Sequence, residues 1–317
     1  MKISLALVSL VVACNARSPA SEQVRPAAGS PATPPATAPV LAAAVPVVAK
    51  LQPPARPGRI RVAFMLSRDA QVIDFAGPWG VFEYTAVSGY DGSPFELYTV
   101  AESADPIRVS GGMMIVPTHT FADAPAPNVV VVPAQGGDPT PAELAWIRRM
   151  SKQTDLTMSV CNGAFVLAEA GLLAGKPATA HHEAYTSLAN TFPDVRVQRG
   201  ARFVDADGVS TAGGLTSGID LALHVVERYY GRDVAEKTTE MLEYQGQGWK
   251  DPNSNIAFAS RSKPASTPDH PLCPICGMDV DASSPHETYH GKTYSFCSAR
   301  HQDVFDKARE RFAGASP

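Results

Sequence analysis

From residue 58 onward, continuous apolar runs alternate with stretches of helical periodicity. The apolar runs predict β-strands at "RIRVAFML" (59–66), "FELYTVA" (95–101), "VVVVPAQGG" (129–137) and "TDLTMSV" (154–160). The other stretches predict helices at "AGPWGVFEYTAVSG" (76–89), "TPAELAWIRRMSKQ" (140–153) and "TSGIDLALHVVERYYG" (216–231). Wholly apolar strands that alternate with helices are typical of a parallel sheet covered on both faces. The pattern therefore predicts an α/β domain over residues 58–247, with its parallel sheet sandwiched by helices.

Polar and reactive side chains follow several of the predicted strands. The segment "ARFVDADGVSTAGG" (201–214) predicts a hairpin with its turn at Asp207-Gly208. In parallel sheets, binding sites form beyond the carboxyl ends of the strands. Asp74, Gln135-Gly136 and Cys161 all follow strands, so we expect one edge of the sheet to bring the three positions together.

The N-terminal residues carry an export pattern. Residues 1–14, "MKISLALVSLVVAC", hold one basic residue and then an apolar run that is shorter than the roughly 20 residues of a membrane-spanning helix. The run fits an export signal, and its ending resembles a bacterial lipobox, which predicts lipidation at Cys14. An ordinary secretion signal and a misassigned start are the alternatives. Asn15 favours an outer-membrane anchor that faces the periplasm over retention at the inner membrane.

Composition separates linkers from folded segments. Residues 15–57 are rich in Ala, Pro, Ser and Thr and predict an extended tether, and a second linker is expected at 248–268. The net charge is only −4, without a basic block that would indicate a nucleic-acid partner. The cysteines are too unevenly spaced for a disulfide framework; they are Cys14, Cys161, Cys273, Cys276 and Cys297.

Cys161 lies where a predicted strand turns into a helix, in "SVCNGAFVLAEAGLLAG" (159–175). The unpaired N–H groups at a helix start favour a thiolate and predict a lowered pKa for this cysteine. Gly163 gives the backbone room for a sharp turn, and the amide of Asn162 can face a developing oxyanion. The alternative is a small buried cysteine with a structural role.

Four motifs of residues 58–247 resemble the ThiJ/PfpI family of the class I glutamine amidotransferase-like superfamily. They are "VIDFAGPWGVFE", "VVVVPAQGG", "SVCNGAFVLAEAGLLAGKPATAHH" and "GGLTSGIDLALHVVERYYG". The match is strongest to the branch that contains isonitrile hydratases and the sensor domains of AraC-type regulators. The resemblance implies a flavodoxin-like fold, a homodimer, and no cofactor in this domain.

The same resemblance implies roles for individual residues. Cys161 becomes the nucleophile, Asp74 a carboxylate that touches its sulfur, and the backbone around Gly136 and Asn162 an oxyanion pocket. A carboxyl group beside a thiolate has a raised pKa, so Asp74 is expected to act as a general acid. The alternative for Asp74 is a helix N-cap.

Three features depart from the family pattern or stay open. Asn162 stands where the peptidase branch has histidine, which argues against a protease. Gln135 interrupts the usual glycine-rich strand end, where it either adds a donor or narrows the pocket. His181 is expected to act as a base or a substrate contact, and the alternative is a cap at a strand end.

A compact Cys/His segment begins near Pro271. Cys273-x2-Cys276 and Cys297-x3-His301 are two ligand pairs at short spacing, which predicts a metal site. The alternative is a disulfide between the first two cysteines. The segment resembles the YHS domain, which we place at residues 269–314 as a small α+β unit. Since the usual final cysteine is replaced by His301, zinc is favoured over copper, with Met278 and His290 as possible extra ligands.

Together the motifs predict an exported, tethered protein with two folded units. The expected chemistry is hydration or hydrolysis of a small electrophile such as an isonitrile by Cys161 and Asp74, beside a unit that binds a transition metal. The alternative function is a non-catalytic periplasmic metal or redox-stress sensor.

Overall fold

The computed structural model describes residues 50–260, 266–267 and 269–313. The predicted export signal, the lipidation site Cys14 and most of the first linker lie outside these residues. Among the described residues, the helices are all too short or too polar to cross a membrane. The predicted homodimer stays a prediction.

The described residues alternate strands and helices from Ile60 onward. In chain order the strands are β1 (Ile60–Met65), β2 (Phe95–Ala101), β3 (Ile107–Arg108), β4 (Met114–Ile115), β5 (His119–Thr120), β6 (Val129–Val132), β7 (Leu156–Val160), β8 (Pro177–Ala178), β9 (Arg196–Val197), β10 (Phe203–Ala206), β11 (Val209–Ala212), β12 (His286–Tyr289) and β13 (Lys292–Ser295). The helices are α1 (Val72–Glu83), α2 (Pro141–Met150), α3 (Gly163–Glu169), α4 (Tyr185–Thr191), α5 (Ser217–Tyr230), α6 (Arg232–Met241), α7 (Ala299–Asp306) and α8 (Arg309–Ala313). Short 3₁₀ turns lie at Ser110–Gly112, His182–Ala184, Gly248–Lys250 and Ile256–Phe258.

The central sheet has seven strands in the order β10-β11-β7-β6-β1-β2-β5, parallel except for the β10–β11 pair. Alternate residues of β1 enter two different cores, with Val62 and Phe64 on one face and Ala63 and Met65 on the other. The first core includes residues of α1 and α5, and the second includes residues of α2, α3 and α4. The predicted α/β fold with helices on both faces is therefore confirmed.

Several local predictions match in detail. β10 and β11 pair through a turn in which Asp207 and Gly208 have φ of 32° and 75°, the positive values that a two-residue hairpin requires. Thr140 and Glu143 form a reciprocal capping box at the start of α2, and Gly231 ends α5 with φ of 90°.

Helix α1 differs from the prediction, which started it at residue 76 with Pro78 in its first turn. The helix begins at Val72, and Pro78 lies inside it. A proline there removes one backbone hydrogen bond, but Pro78 is buried and Gly77 allows α1 to lie against Ile219 of α5. Packing between the helices thus overrides the local signal.

The linker predicted at 248–268 is wrong in its first part. Trp249 is 2% exposed and belongs to the core, and the backbone N–H of Arg202 donates to the carbonyl of Pro252. Asn255 is buried and its side chain bonds to Ser217. The segment was predicted as a linker because its composition is polar, but the single Trp249 packs it against the core.

The C-terminal unit is a β12–β13 hairpin followed by α7 and α8. Its buried core is small. The core residues are Cys273, Ile275, Cys276, Tyr294, Phe296 and Phe305. Since two of these six are predicted metal ligands, apolar burial alone supplies little stability to this unit.

Candidate active site and metal centre

Cys161 lies on a strained turn between β7 and α3. Its φ is 58°, a left-handed value that non-glycine residues rarely adopt and that often marks a functional position. The turn is held because the N–H of Cys161 donates to the carbonyl of Gly213 at 2.9 Å. At Gly163 a Cβ would lie 2.2 Å from the carbonyl oxygen of Val132, so only glycine fits there. This geometry is the sharp strand-to-helix turn that the sequence predicts at Cys161.

The Cys161 thiol is buried, with the residue 7% exposed. Burial and the nearby Asp74 carboxylate raise its pKa to about 12, although the backbone N–H groups of Asn162 and Leu215 bond to the sulfur and oppose this rise. The lowered pKa predicted from the helix start is therefore wrong. Helix α3 has only seven residues, and the loss of solvent outweighs its dipole.

Asp74 is fully buried in the first turn of α1. The N-cap of that helix is Gln71, so the alternative role of Asp74 as a helix cap is wrong. Its Oδ2 accepts the backbone N–H of Ala134 at 3.0 Å, while Oδ1 has no hydrogen-bond partner among the described residues. Burial raises the pKa of Asp74 to about 7, against the lowering effect of the Ala134 hydrogen bond. The raised pKa agrees with the prediction, but its cause is burial.

Asp74 and Cys161 interact through charge. The Asp74 carboxylate is the second cause of the raised pKa of Cys161. Among the hydrogen bonds of the described residues, none joins this carboxylate to the sulfur, so the direct contact that the resemblance implied is not a hydrogen bond here. At neutral pH the two groups form a neutral thiol beside a partly protonated acid.

The predicted oxyanion donors are engaged elsewhere. The N–H of Gly136 donates to the carbonyl of Arg68 at 2.9 Å, and the Gln135 amide donates to Glu143 at 3.1 Å. The Gly136 N–H is therefore not free to face an oxyanion, and the Gln135 amide is directed to Glu143, which corrects the prediction for these two residues. The oxyanion role of Asn162 stays a prediction.

Leu215 is the functional position that the sequence did not indicate. It follows Gly213-Gly214, has φ of 48°, and its backbone N–H lowers the pKa of Cys161. A residue that acts through its backbone leaves no side-chain signature. The only signal in the sequence is the preceding glycine pair.

His181 lies beside the loop that carries Leu215. A Cβ at Gly214 would be 2.3 Å from its Cδ2, so glycine is needed for the imidazole to approach. Its Nδ1 accepts the N–H of Glu183 at 3.4 Å and caps the 3₁₀ turn at His182–Ala184. Burial, together with His182, lowers the pKa of His181. The imidazole is therefore a neutral group whose observed bond is a cap, as the alternative interpretation held.

The four predicted metal ligands meet in the C-terminal unit. The donor atoms of Cys273, Cys276, Cys297 and His301 all lie within 4.8 Å of one another. The closest pairs are Cys297 Sγ to His301 Nδ1 at 3.0 Å, Cys276 Sγ to Cys297 Sγ at 3.4 Å, and Cys273 Sγ to His301 Nδ1 at 3.6 Å. A tetrahedral zinc site with bonds of about 2.3 Å has edges of about 3.8 Å. The donor set and spacing fit such an ion.

The structure also bears on the alternative disulfide and on the two possible extra ligands. Cys273 and Cys276 are not joined by a disulfide. His290 is exposed on the β12–β13 turn and is not part of the ligand group. Met278 is 57% exposed, and its carbonyl accepts the N–H of Cys273. Neither His290 nor Met278 is therefore part of the observed group of four donors.

Comparison with known proteins gives two family matches. Residues 60–228 match the DJ-1/PfpI family, and residues 273–316 match the YHS domain. Isonitrile hydratase from Pseudomonas putida is 33% identical over 189 residues, which are 58% of this chain and 78% of that protein. The HTH-type transcriptional regulator GbdR from Pseudomonas aeruginosa is 27% identical over 154 residues, and the chain spans only 42% of its length.

A solved structure shows the same fold. The crystal structure of a ThiJ/PfpI family protein from Pseudomonas syringae matches with a TM-score of 0.52 and 30% identity, over 60% of this chain and 77% of that one. The elbow cysteine, the parallel sheet and both family matches agree with one another. The chain therefore belongs to the DJ-1/PfpI family, with a YHS domain at its C-terminal end.

Proposed function

We propose that the protein hydrates small isonitriles to N-substituted formamides, with Cys161 and Asp74 as the catalytic residues. The observation that carries the proposal is a buried acid with a pKa of about 7 that interacts with a buried thiol on a strained elbow. Asp74 is therefore both acid and base at neutral pH, which is the property that a general acid–base catalyst needs. The 33% identical isonitrile hydratase supports the choice of substrate class.

The first step uses the neutral forms of both groups. The terminal carbon of an isonitrile carries a lone pair, which takes the proton of the Asp74 carboxyl group. The sulfur of Cys161 bonds to that carbon, one N–C π bond becomes a nitrogen lone pair, and the thiol proton passes to the Asp74 carboxylate. The product is a thioimidate on Cys161, and Asp74 is protonated again.

The second step consumes water. Its oxygen adds to the thioimidate carbon and its proton goes to nitrogen. The C–S bond then breaks, the hydroxyl becomes the formyl oxygen, and the hydroxyl proton returns to sulfur through Asp74. The formamide leaves, and both side chains are restored.

Backbone donors stabilise the sulfur during these steps. The backbone N–H groups of Asn162 and Leu215 favour the ionised form of the Cys161 thiol and lower its pKa. They stabilise the negative charge that develops as the thiol proton departs, and they need no reorganisation because the backbone fixes them. This role replaces the pocket that the sequence motif placed at Gly136.

Burial of the site favours a narrow reacting group. Because Cys161 is only 7% exposed, a narrow reacting group reaches its sulfur more easily than a broad one. An isonitrile is linear at its reacting end and has a terminal carbon without substituents. Bulky acyl or peptide groups are disfavoured on the same ground.

The C-terminal unit is proposed to bind zinc through Cys273, Cys276, Cys297 and His301. Three thiolates and one imidazole are the donor set of structural zinc sites, and such an ion supplies folding free energy to the unit that holds it. The shared hydrogen bond between Cys273 and Cys276 lowers the pKa of Cys273 and raises that of Cys276.

We also propose that the protein works outside the cytoplasm, as a lipoprotein anchored through Cys14. The proposal rests on the export pattern of residues 1–14 and the tether that follows. Labelling cells with a palmitate analogue tests it. We expect label on the wild-type chain and none on Cys14→Ala.

The similarity to regulators such as GbdR favours a second candidate, a domain that binds a small ligand without turnover. A redox sensor is disfavoured, because a buried thiol with a pKa of about 12 reacts slowly with oxidants.

The deciding experiment is mass spectrometry of formamide produced from an aliphatic isonitrile. We expect product with the wild-type chain and with Ser159→Ala, which alters a neighbouring buried side chain of β7. Cys161→Ala and Asp74→Asn should both lose turnover. Ligand binding without formamide, in the wild type, would replace the enzyme by the binding candidate.

A further inference from the structure

Three residues of the C-terminal unit form hydrogen bonds with the α/β domain. Arg311 bonds to α4, and the other two each lie within a pair of metal ligands. Arg300 lies between Cys297 and His301, and Ile275 lies between Cys273 and Cys276. The carbonyl of Ile275 accepts the side-chain N–H of Asn190 at 2.9 Å. Arg300 donates to the carboxylates of Asp138 and, at 2.5 Å, Glu169. Both ligand segments, residues 273–276 and residues 297–301 at the start of α7, thus also contact the α/β domain.

The partners on the α/β domain belong to the segments that build the Cys161 site. Asp138 follows Gln135 in the loop after β6, the loop whose Ala134 N–H holds Asp74. Glu169 is the last residue of α3, the helix that begins just after Cys161. Asn190 lies on α4, directly after the turn that His181 caps.

One guanidinium holds two carboxylates that would otherwise repel each other. The Arg300 side chain is 28% exposed, and its guanidinium lies 5.9 Å from the centre of the Phe192 ring. Without it, Asp138 and Glu169 leave two like charges near one another, on side chains that are 66% and 37% exposed. Like charges disfavour an arrangement that brings them together, although solvent weakens the repulsion.

A bound ion fixes the two ligand segments relative to each other, because all four donors must reach one centre. It therefore also fixes the distance between Ile275 and Arg300. A two-point contact formed by preordered groups is stronger than the same contact made by mobile loops. The C-terminal unit has too small a core to order these segments by itself.

We propose that metal binding in the C-terminal unit is linked to the order of the Cys161 site, with Arg300 as the positioning residue that transmits the linkage. The loaded unit docks, Arg300 draws the loop after β6 against the end of α3, and the surroundings of Cys161 and Asp74 become more rigid. Linkage is reciprocal, so an intact docking surface also strengthens metal binding. The proposal is independent of whether Cys161 turns over a substrate.

The first test measures Co²⁺ affinity on the full chain by the visible absorption of thiolate-bound cobalt. Asp138→Asn/Glu169→Gln removes the two carboxylates and leaves every metal ligand in place. We expect its apparent dissociation constant to rise by about fivefold or more, the usual lower range of site coupling. The control Asp91→Asn/Glu240→Gln makes the same charge change at exposed positions of the same domain and should match the wild type.

The second test measures the Cys161 site directly. Chelation of the metal should increase hydrogen exchange at 133–139 and 163–169 and speed the alkylation of Cys161, followed by peptide mapping. Arg300→Gln should show these increases with metal present, and Arg300→Lys should recover part of the protection. Equal Co²⁺ affinity in Asp138→Asn/Glu169→Gln and in the control variant would overturn the proposal. Hydrogen exchange and Cys161 alkylation rates that change neither on chelation nor in Arg300→Gln would overturn it as well.

Discussion

The substitution Asp74→Asn is expected to stabilise the α/β domain at alkaline pH while it abolishes hydration. In the folded protein, burial raises the pKa of Asp74 from 3.8 to about 7. Because the folded value lies above the unfolded one, the unfolded chain loses this proton first. Ionisation of Asp74 therefore destabilises the fold, by an amount that grows between pH 3.8 and about 7 and is constant above that range.

The two pKa values give the size of the effect. At about 1.4 kcal/mol for each tenfold change, the penalty is about 1 kcal/mol at pH 4.5 and about 4 kcal/mol at pH 8.5. Asparagine carries no such penalty at either pH. Its side-chain oxygen can still accept the N–H of Ala134, while its amide N–H occupies the place of the unpartnered Oδ1 at a cost that does not depend on pH.

Urea unfolding at the two pH values measures the difference. The three tryptophans, Trp79, Trp146 and Trp249, all lie in the α/β domain and its packed extension, so their fluorescence reports this unfolding alone. The free energy of unfolding of Asp74→Asn, relative to wild type, should rise by about 3 kcal/mol from pH 4.5 to pH 8.5. If the free energies of unfolding of wild type and Asp74→Asn depended equally on pH, the raised pKa of the buried Asp74 would be refuted.

Three further predictions address the elbow, the thiol and the metal unit. Gly163→Ala should destabilise the domain by about 3 kcal/mol, because the new Cβ would lie 2.2 Å from the Val132 carbonyl oxygen. Gly80→Ala should stabilise the domain by about 0.5 kcal/mol, because a Cβ there has nothing within 4 Å. Urea unfolding measures both free energies, and equal effects would contradict the packing argument. At pH 7 only about one Cys161 thiol in 10⁵ is ionised if its pKa is about 12, so peptide mapping should show alkylation by iodoacetamide far slower than that of free cysteine, and fast labelling would restore the thiolate interpretation. Chelation of the metal should raise hydrogen exchange throughout residues 273–312 and leave β1 and β6 protected. Unchanged exchange in residues 273–312 would mean that the small core of Tyr294, Phe296 and Phe305 keeps the unit folded without metal.

Apolar periodicity was enough to predict the fold, since the buried strands and the hairpin at Asp207-Gly208 are local patterns. The ligand spacing of the Cys/His segment was equally local, and the four donors do meet. Helix α1 was misjudged at its start, because the contact of Gly77 with Ile219 joins residues far apart in sequence.

Properties of the site that depend on burial could not be predicted in the same way. The helix start at Cys161 is visible in the sequence, but the solvent exclusion that raises its pKa is not. The use of the Gly136 N–H by Arg68 depends on the path of another loop. Leu215 acts through its backbone, so its identity carries no chemical signal.

The pH dependence of kcat/KM for isonitrile hydration tests the central claim most directly. If a protonated Asp74 and a neutral Cys161 thiol are the reacting forms, the rate should be constant below about pH 7 and fall about tenfold for each further pH unit, because only the acid form can protonate the isonitrile carbon. A rate that instead rises with pH, as a reactive thiolate requires, would contradict the account.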